Sequence, residues 1–190
     1  MSAEFPPLSK EVPEFPITKK VLRYFQDFPK KGICFVDVNP IMGSPESTQE
    51  VVAFLVERYR GQKLDAVCAL ESRGYYFGIP LAYALHVPFV PIRKPGKLPG
   101  KVFSVEYGKE YGKDVLQMQE GVLAPGARVV IIDDLLATGG SMNGAIRLVR
   151  DNFAATIVET LCVIELPNLH GRDNLPKDIP FTALFPDFCE

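Results

Sequence analysis

The stretch VVIIDDLLATGGS, residues 129–141, decides the fold of this chain. Its four apolar β-formers predict a buried strand over residues 128–132, and the residues that follow predict a helix over residues 141–153. Gly139 and Gly140 allow a ligand to approach the backbone closely between these two elements. The helix N-terminus there offers free N–H groups and the positive end of the helix dipole to an anion. The stretch therefore predicts a phosphate-binding turn.

Two carboxylates, Asp133 and Asp134, stand directly before this turn. Carboxylates accept hydrogen bonds from a vicinal diol, whereas the hydroxyls of Thr138 and Ser141 donate to phosphate. Ribose 5-phosphate offers both groups. One alternative is a generic solvated turn; another, the acidic strand of a P-loop ATPase, fails because the chain has no G-x-x-x-x-G-K-[ST] sequence. The predicted ribose-phosphate residues are Asp133, Asp134, Ala137, Thr138, Gly139, Gly140 and Ser141.

Strand-like and helix-like segments alternate on both sides of this stretch. Repeated strand–helix units imply a parallel sheet that helices cover on both faces. The further predicted strands are residues 33–38, 66–70, 89–92 and 156–166, and the further predicted helices are residues 17–25, 47–60 and 76–85.

One segment breaks the alternation. Residues 102–107 and 115–119 are both strand-like and have no helix between them, which predicts a protruding antiparallel hairpin. The tip is a tandem copy, EYGKEYGK, in residues 106–113. Glu106 and Glu110 therefore sit in the same local sequence.

The composition is that of one soluble globular domain: 190 residues, 47% hydrophobic and 23% charged. A net charge of −2 offers no basic field to nucleic acid, and no apolar run is long enough to span a membrane. Residues 1–16 form a Pro-rich arm without the apolar core of a signal peptide, so a cytoplasmic location is expected. The four cysteines form no C-x-x-C pair and are expected to be reduced thiols, not metal ligands.

The turn and its flanks resemble the ribose-phosphate signature of the type I phosphoribosyltransferases. From about residue 25 to residue 184 the chain is similar to the adenine-specific members. The resemblance implies one α/β domain over residues 1–190, a parallel twisted sheet flanked by helices around a Rossmann-like core. The resemblance also implies a small N-terminal hood over about residues 17–45 and a flexible hairpin over residues 98–120. Its landmarks are FQDFPKKGICFVD (25–37), ALESRGYYFG (69–78), IRKPGKLPG (92–100), KEYGK (109–113) and LHGR (169–172).

The resemblance also assigns a pyrophosphate site. Ser72 and Arg73 lie in the segment that matches the pyrophosphate loop of the family, where the peptide bond entering the serine is cis. An arginine suits this site because its planar fork can bind the leaving pyrophosphate through two hydrogen bonds. Three further cations, Arg93, Lys94 and Lys97, fall within five residues and are predicted to face the same charge.

The base is expected to lie against the early strand. In similar enzymes the aromatic residue at the Phe35 position packs on the purine opposite the residue at the Leu135 position. The backbone groups of Cys34 and Val36 are expected to hydrogen-bond the Watson–Crick edge. The chain departs from the family pattern at Val36, where relatives often carry a long polar residue, so no side-chain contact is expected there.

The predicted catalytic residues are Arg73 and Glu110. Glu110 is the candidate proton-handling residue, because its distance from Asp133 matches the register of the family, whereas Glu106 lies four residues too early. It would hydrogen-bond the purine N7 from the hairpin, next to the loop residue Tyr111.

The resemblance implies transfer of a phosphoribosyl group from 5-phospho-α-D-ribose 1-diphosphate (PRPP) to adenine, giving AMP and diphosphate. Mg²⁺ is the expected cofactor, bound through substrate oxygens and water, with no certain protein ligand. A homodimer with no nucleic-acid or membrane partner is expected. Two alternatives remain: transfer to hypoxanthine, guanine or xanthine, and a non-catalytic regulator that senses PRPP and binds DNA.

Overall fold

The computed structural model describes residues 5–108 and 113–186, which form nine strands and five α-helices. The strands are β1 (Arg23–Gln26), β2 (Cys34–Asp37), β3 (Ala66–Leu70), β4 (Phe89–Ile92), β5 (Val102–Gly108), β6 (Lys113–Gln119), β7 (Arg128–Leu136), β8 (Thr156–Glu165) and β9 (Phe181–Pro186). The helices are α1 (Pro16–Val21), α2 (Asn39–Gly43), α3 (Pro45–Tyr59), α4 (Tyr75–Leu85) and α5 (Gly140–Phe153).

A five-stranded parallel sheet in the order β4-β3-β7-β8-β9 forms the centre. Every residue of β3 is buried, as expected for a strand covered on both faces. The chain adds two antiparallel pairs, β1–β2 in the predicted hood and β5–β6, which we call the hairpin. The predicted α/β architecture is confirmed. The division into arm, hood and hairpin within a single domain stays a prediction.

The two faces of the sheet bury different neighbours. Val129 and Ile131 of β7 pack in a cluster with α5 and the hairpin, whereas Val130 and Ile132 pack with α3 and α4. This division follows from the alternation of side chains along a strand. The next two residues of β7 are the predicted carboxylates, which are therefore directed toward opposite faces.

Several predicted boundaries are wrong. The helix predicted for residues 17–25 ends at Val21, because residues 23–26 pair with β2 instead. The helix predicted to begin at residue 47 begins at Pro45, and the side chain of Ser44 caps it by accepting a hydrogen bond from the Ser47 N–H. The strand predicted for residues 128–132 continues to Leu136, and β9 was not predicted.

The described part of the arm lies on the protein surface. The Gln62 side chain donates to the Pro6 carbonyl oxygen at 2.7 Å, and Arg58 donates to the Ser9 carbonyl oxygen at 2.8 Å. The Phe5 ring lies 3.6 Å from the guanidinium carbon of Arg128. These contacts favour the surface-bound arrangement of the arm over a mobile one.

The cysteines only partly follow the prediction. Cys68 and Cys162 are buried free thiols, and burial raises the pKa of Cys68 to about 12. Cys34 is disulfide-bonded, so the prediction of reduced thiols is wrong at this residue. Within the described ranges, no helix has the length and apolarity that a membrane span requires.

Candidate active site

A cavity of about 350 Å³ opens at the carboxyl ends of β3 and β7 and at the N-terminus of α5. This is the location that the topology of parallel sheets favours for ligands. It brings together most of the predicted phosphate and pyrophosphate residues. Those that line it are Ser72, Arg73, Lys94, Asp133, Asp134, Leu135, Ala137, Thr138, Gly139, Gly140 and Ser141.

The phosphate turn, residues 137–141, is held by the segment around Gly171, a landmark whose contact with the turn was not predicted. Gly139 has φ +83°, which favours glycine, and a Cβ on it would lie 2.5 Å from the Gly171 carbonyl oxygen. A Cβ on Gly171 would overlap the Ala137 carbonyl oxygen. The Asn174 side chain donates to the Thr138 carbonyl oxygen at 2.9 Å. Close backbone packing thus fixes the turn where α5 begins, and the first N–H groups of α5 have no acceptor within the helix.

The two carboxylates approach the cavity from opposite faces of β7. Asp134 is 5% exposed, and its Oδ2 lies 2.8 Å from Arg73 Nε. That ion pair lacks hydrogen-bond alignment, so among the described residues nothing donates a hydrogen bond to Oδ2. A buried acceptor without a donor costs free energy, which a ligand hydroxyl would recover.

Burial also changes the titration of this pair. Burial first, and repulsion by the neighbouring Asp134 second, raise the pKa of Asp133 well above its usual value. Burial likewise raises the pKa of Asp134, and the charge of Arg73 opposes that shift. Positive charge near the pair, on a ligand or in a transition state, would therefore stabilise the ionised forms.

The predicted pyrophosphate loop lies between β3 and α4. Its Glu71–Ser72 peptide bond is cis, which confirms the geometry that the resemblance implied. A Cβ on Gly74 would lie 2.8 Å from the carbonyl oxygens of Leu70 and Ile132, so the loop packs closely on the ends of two strands. The loop thus places Ser72 and Arg73 at the cavity.

The three predicted cations divide into different roles. Arg93 donates from Nε to Glu71 Oε2 at 3.1 Å and from a terminal nitrogen to the Lys97 carbonyl oxygen at 3.0 Å. The hydrogen bond from Arg93 is the main cause that lowers the pKa of Glu71. Lys94 lines the cavity. Arg93 therefore braces the loop and neutralises Glu71, and binding of pyrophosphate by Arg93 and Lys97 stays a prediction.

The base end is built around Phe35. Its half-buried ring meets Phe28 edge-on with centroids 5.1 Å apart, and the Arg73 guanidinium carbon lies 5.5 Å from its centroid. Cys34, Phe35 and Val36 do not line the 350 Å³ cavity, but Arg73 connects Phe35 to it. Val36 is 1% exposed and packs in the core, so its side chain is not available to a base.

Glu110 and Tyr111 lie outside the described residues. Tyr107 and Asp114 line the cavity from the hairpin and were not predicted from the sequence. The Tyr107 hydroxyl donates to Asp114 Oδ2 at 3.0 Å. The alternation of β5, which points residue 107 inward, was the signal that could have revealed it. The other unpredicted lining residues are Leu70, Glu71, Leu116, Leu136 and Met142.

Sequence comparison identifies relatives over most of the chain. Residues 39–187 match the family model of the phosphoribosyl transferase domain. Adenine phosphoribosyltransferase 3 of Arabidopsis thaliana is 43% identical over 166 residues, which are 87% of this chain and 90% of the relative. The adenine phosphoribosyltransferase of Roseiflexus castenholzii is 48% identical over 164 residues, 86% of this chain and 95% of the relative.

Solved structures give the same result. An adenine phosphoribosyltransferase from Thermoanaerobacter pseudethanolicus superposes with a TM-score of 0.85 at 40% identity, covering 90% of this chain and 98% of the other. The Saccharomyces cerevisiae adenine phosphoribosyltransferase, solved with adenine and an imino-altritol bisphosphate, has a TM-score of 0.82 at 41% identity. That superposition covers 88% of this chain and 96% of the yeast chain.

Proposed function

The chain belongs to the phosphoribosyl transferase family, in its adenine-specific branch, and we propose how its residues carry out the reaction. The enzyme transfers the phosphoribosyl group of PRPP to adenine and releases AMP and diphosphate. One observation carries the assignment of roles: a carboxylate pair stands beside a phosphate turn, and Arg73 links that pair to an aromatic ring.

We propose that the 5′-phosphate of PRPP binds the phosphate turn and that its ribose diol donates to Asp133 and Asp134. Arg73 then exchanges partners. It leaves Asp134, which gains the diol, and binds the pyrophosphate together with Ser72 and Lys94. Both partners of this ion pair thereby gain a hydrogen-bonding group of the substrate, which offsets the free-energy cost of separating them.

The chemical step breaks the bond from the anomeric carbon to pyrophosphate, which leaves with the electron pair, and forms a bond from that carbon to the N9 lone pair of adenine bound as its N7–H tautomer. The proton that adenine loses therefore lies on N7, where the Glu110 carboxylate can accept it. Such substitutions pass through a state with positive charge on the sugar ring. The two carboxylates stabilise this charge because they are already fixed beside the ribose. Glu110 is the proposed hydrogen-bond partner of adenine N7 as the bond at N9 forms.

The adenine ring is proposed to stack on Phe35, with Leu135 on its other side. The backbone of Cys34 and Val36 reads its Watson–Crick edge. The Arg73 guanidinium lies over the Phe35 ring, which places this ring next to the residues proposed to bind ribose and pyrophosphate. Closure of the hairpin would exclude water, which would otherwise hydrolyse PRPP at the same carbon.

We propose that Mg²⁺ accompanies PRPP. In the described part of the chain, no three His, Cys, Asp or Glu side chains cluster closely enough to hold a metal ion. Mg²⁺ keeps several waters and needs few protein ligands when substrate phosphates are present, so the substrate would supply most of its ligands. Asp133 and Asp134 are the nearest candidate ligands, and the ion would neutralise charge on the leaving pyrophosphate.

The proposal extends to a cytoplasmic homodimer. Ile79 and Tyr83 of α4 are 49% and 82% exposed, and large exposed apolar side chains on one helix are typical of an interface. The resemblance places residues 92–100 near the partner subunit.

The experiment incubates the protein with PRPP, Mg²⁺ and one base at a time: adenine, guanine, hypoxanthine or xanthine. AMP is expected, with far slower product from the 6-oxo purines, because the 6-amino group donates a hydrogen bond where a 6-oxo group accepts one. Preferential GMP, IMP or XMP would overturn the adenine assignment. PRPP binding without any nucleotide product would instead support the non-catalytic regulator.

A further inference from the structure

Tyr107 lies in the hairpin, yet its side chain is only 7% exposed and lines the cavity. Alternation along β5 turns Val105 and Tyr107 inward and Glu106 and Gly108 outward. The Tyr107 ring packs on α5, where a Cβ on Gly144 would come within 3.0–3.3 Å of three of its carbon atoms. The position of the ring is therefore set by the helix that begins at the phosphate turn.

The Tyr107 hydroxyl connects three elements. It donates to Asp114 Oδ2 of β6 at 3.0 Å, and the Ser141 hydroxyl donates to it over a longer 3.5 Å. A tyrosine hydroxyl has one proton, and Asp114 receives it, so the Tyr107 oxygen remains an acceptor for Ser141. Ser141 belongs to the phosphate turn and lines the same cavity. The hydrogen-bonded series thus joins both hairpin strands to the turn.

We propose that Tyr107 is a positioning residue for the 5′-phosphate of PRPP and that it acts through Ser141. The proposal rests on the proposed function, because the phosphate turn is the assigned site of that group. The one hydroxyl proton of Ser141 goes to Tyr107, so Ser141 serves the phosphate through the backbone N–H groups of the turn and not through its hydroxyl. By holding the Ser141 side chain, Tyr107 keeps those N–H groups in place and removes part of the ordering cost that phosphate binding would otherwise carry. Asp114 contributes by fixing the direction of the tyrosine proton.

The test is Tyr107→Phe, which keeps the ring that packs on Gly144 and removes only the hydroxyl. Calorimetric titration with PRPP and Mg²⁺ should show a Kd raised about five- to twenty-fold, the loss expected for one hydrogen bond. The KM for PRPP should rise similarly, while kcat and the KM for adenine stay within about threefold. Tyr59→Phe is the matched control, since the buried Tyr59 hydroxyl donates to Glu159 away from the cavity. It should lower the Tm and leave the Kd for PRPP unchanged.

A double-mutant cycle with Ser141→Ala separates positioning from general packing. If Tyr107 acts through Ser141, adding Tyr107→Phe to Ser141→Ala should change the Kd for PRPP by less than about twofold. An unchanged Kd in Tyr107→Phe alone, or fully additive effects in the double variant, would overturn the proposal. If Tyr107→Phe does not fold, Asp114→Asn replaces it. Its Kd for PRPP should rise about two- to fivefold, and an unchanged Kd would contradict the proposal. Failure of the wild type to make AMP would instead count against the proposed function alone.

Discussion

The two ends of the cavity are built in different ways. At the phosphate end, five consecutive residues form a turn held by backbone contacts with Gly171 and by the Asn174 amide. At the end proposed to hold the base, Arg73 and Asp134 line the cavity and Phe35 lies beside it. These three residues come from distant segments and meet only through their side chains. An atom added to the backbone packing of the phosphate end should therefore destabilise the turn or abolish phosphate binding. The base end should instead respond to the chemistry of each side chain.

The largest effect is expected from Gly171→Ala at the phosphate end. The added Cβ would overlap the Ala137 carbonyl oxygen. A change of side-chain rotamer cannot relieve this clash, because the overlapped atom belongs to the backbone. We expect a loss of more than about 3 kcal/mol in the free energy of unfolding, or a displaced turn with no measurable PRPP binding. Urea unfolding and calorimetric titration with PRPP measure the two outcomes.

Gly43→Ala is the control for this substitution. Gly43 closes α2, and a Cβ there would have nothing within 4 Å, so stability should stay equal or rise by up to about 1 kcal/mol. If Gly171→Ala resembles Gly43→Ala in both measurements, backbone packing does not hold the phosphate turn.

The next largest effect concerns the duplicated hairpin sequence. Glu110→Ala should lower kcat by roughly 10²-fold, a typical loss for a positioned proton-transfer group. Glu106→Ala should stay within a few-fold of wild type, because Glu106 is an exposed residue and its backbone oxygen keeps the hydrogen bond from Arg147. Steady-state kinetics with adenine and PRPP compare the two variants.

This pair tests register, since each glutamate is followed by the same three residues, Tyr-Gly-Lys. The opposite ranking would show that the first copy is functional and that the alignment of the hairpin is shifted by four residues. Equal, small effects would remove the glutamate from the chemistry and leave the rate to the phosphate and ribose contacts.

Local sequence sufficed to predict one end of the cavity but not the other. The strand, acid pair, glycines and helix start of residues 129–141 are contiguous, so their geometry follows from local rules. Gly171 and Asn174 reach that turn from more than thirty residues away in sequence, and no local pattern indicates such packing. Phe35 was assigned through family resemblance, and its contact with Arg73 depends on how the hood folds over the sheet.

Asp133→Asn should affect activity and stability in opposite directions. Loss of the charge that faces the ribose should cost about 1–3 kcal/mol of transition-state stabilisation, which lowers kcat/KM for PRPP roughly five- to 150-fold. The raised pKa of Asp133 means that its ionised form is unfavourable in the folded protein. The unliganded variant should therefore have a higher Tm at pH 7 than the wild type.

The pH dependence of that difference follows from the sign of the shift. Because the folded-state pKa is raised, the cost of the charge is present at neutral pH and disappears as pH falls through the folded-state pKa. The difference in Tm between Asp133→Asn and the wild type should therefore become smaller as the pH is lowered. Asp178→Asn is the control, because its exposed carboxylate pairs with Arg150 at the surface and should change neither quantity strongly. A lower Tm for Asp133→Asn at pH 7 would contradict the assignment.

The smallest effect on activity is expected at Val36, next to the residue on which the base is proposed to stack. Its side chain is buried in the core, so Val36→Ala should lower the free energy of unfolding by about 1–3 kcal/mol. The backbone contacts proposed for the base would remain, so the KM for adenine should change less than about threefold.

Phe35→Leu should do the reverse: the aromatic face and its contact with Arg73 are lost, so the KM for adenine should rise roughly tenfold with a smaller change in Tm. Val36→Arg, although it restores a residue type common in relatives, would place a guanidinium in a site that is 1% exposed, so its main effect should be on folding. A rise of tenfold or more in the KM for adenine in Val36→Ala would show that this side chain shapes the pocket after all. The base end would then depend on core packing as much as the phosphate end does.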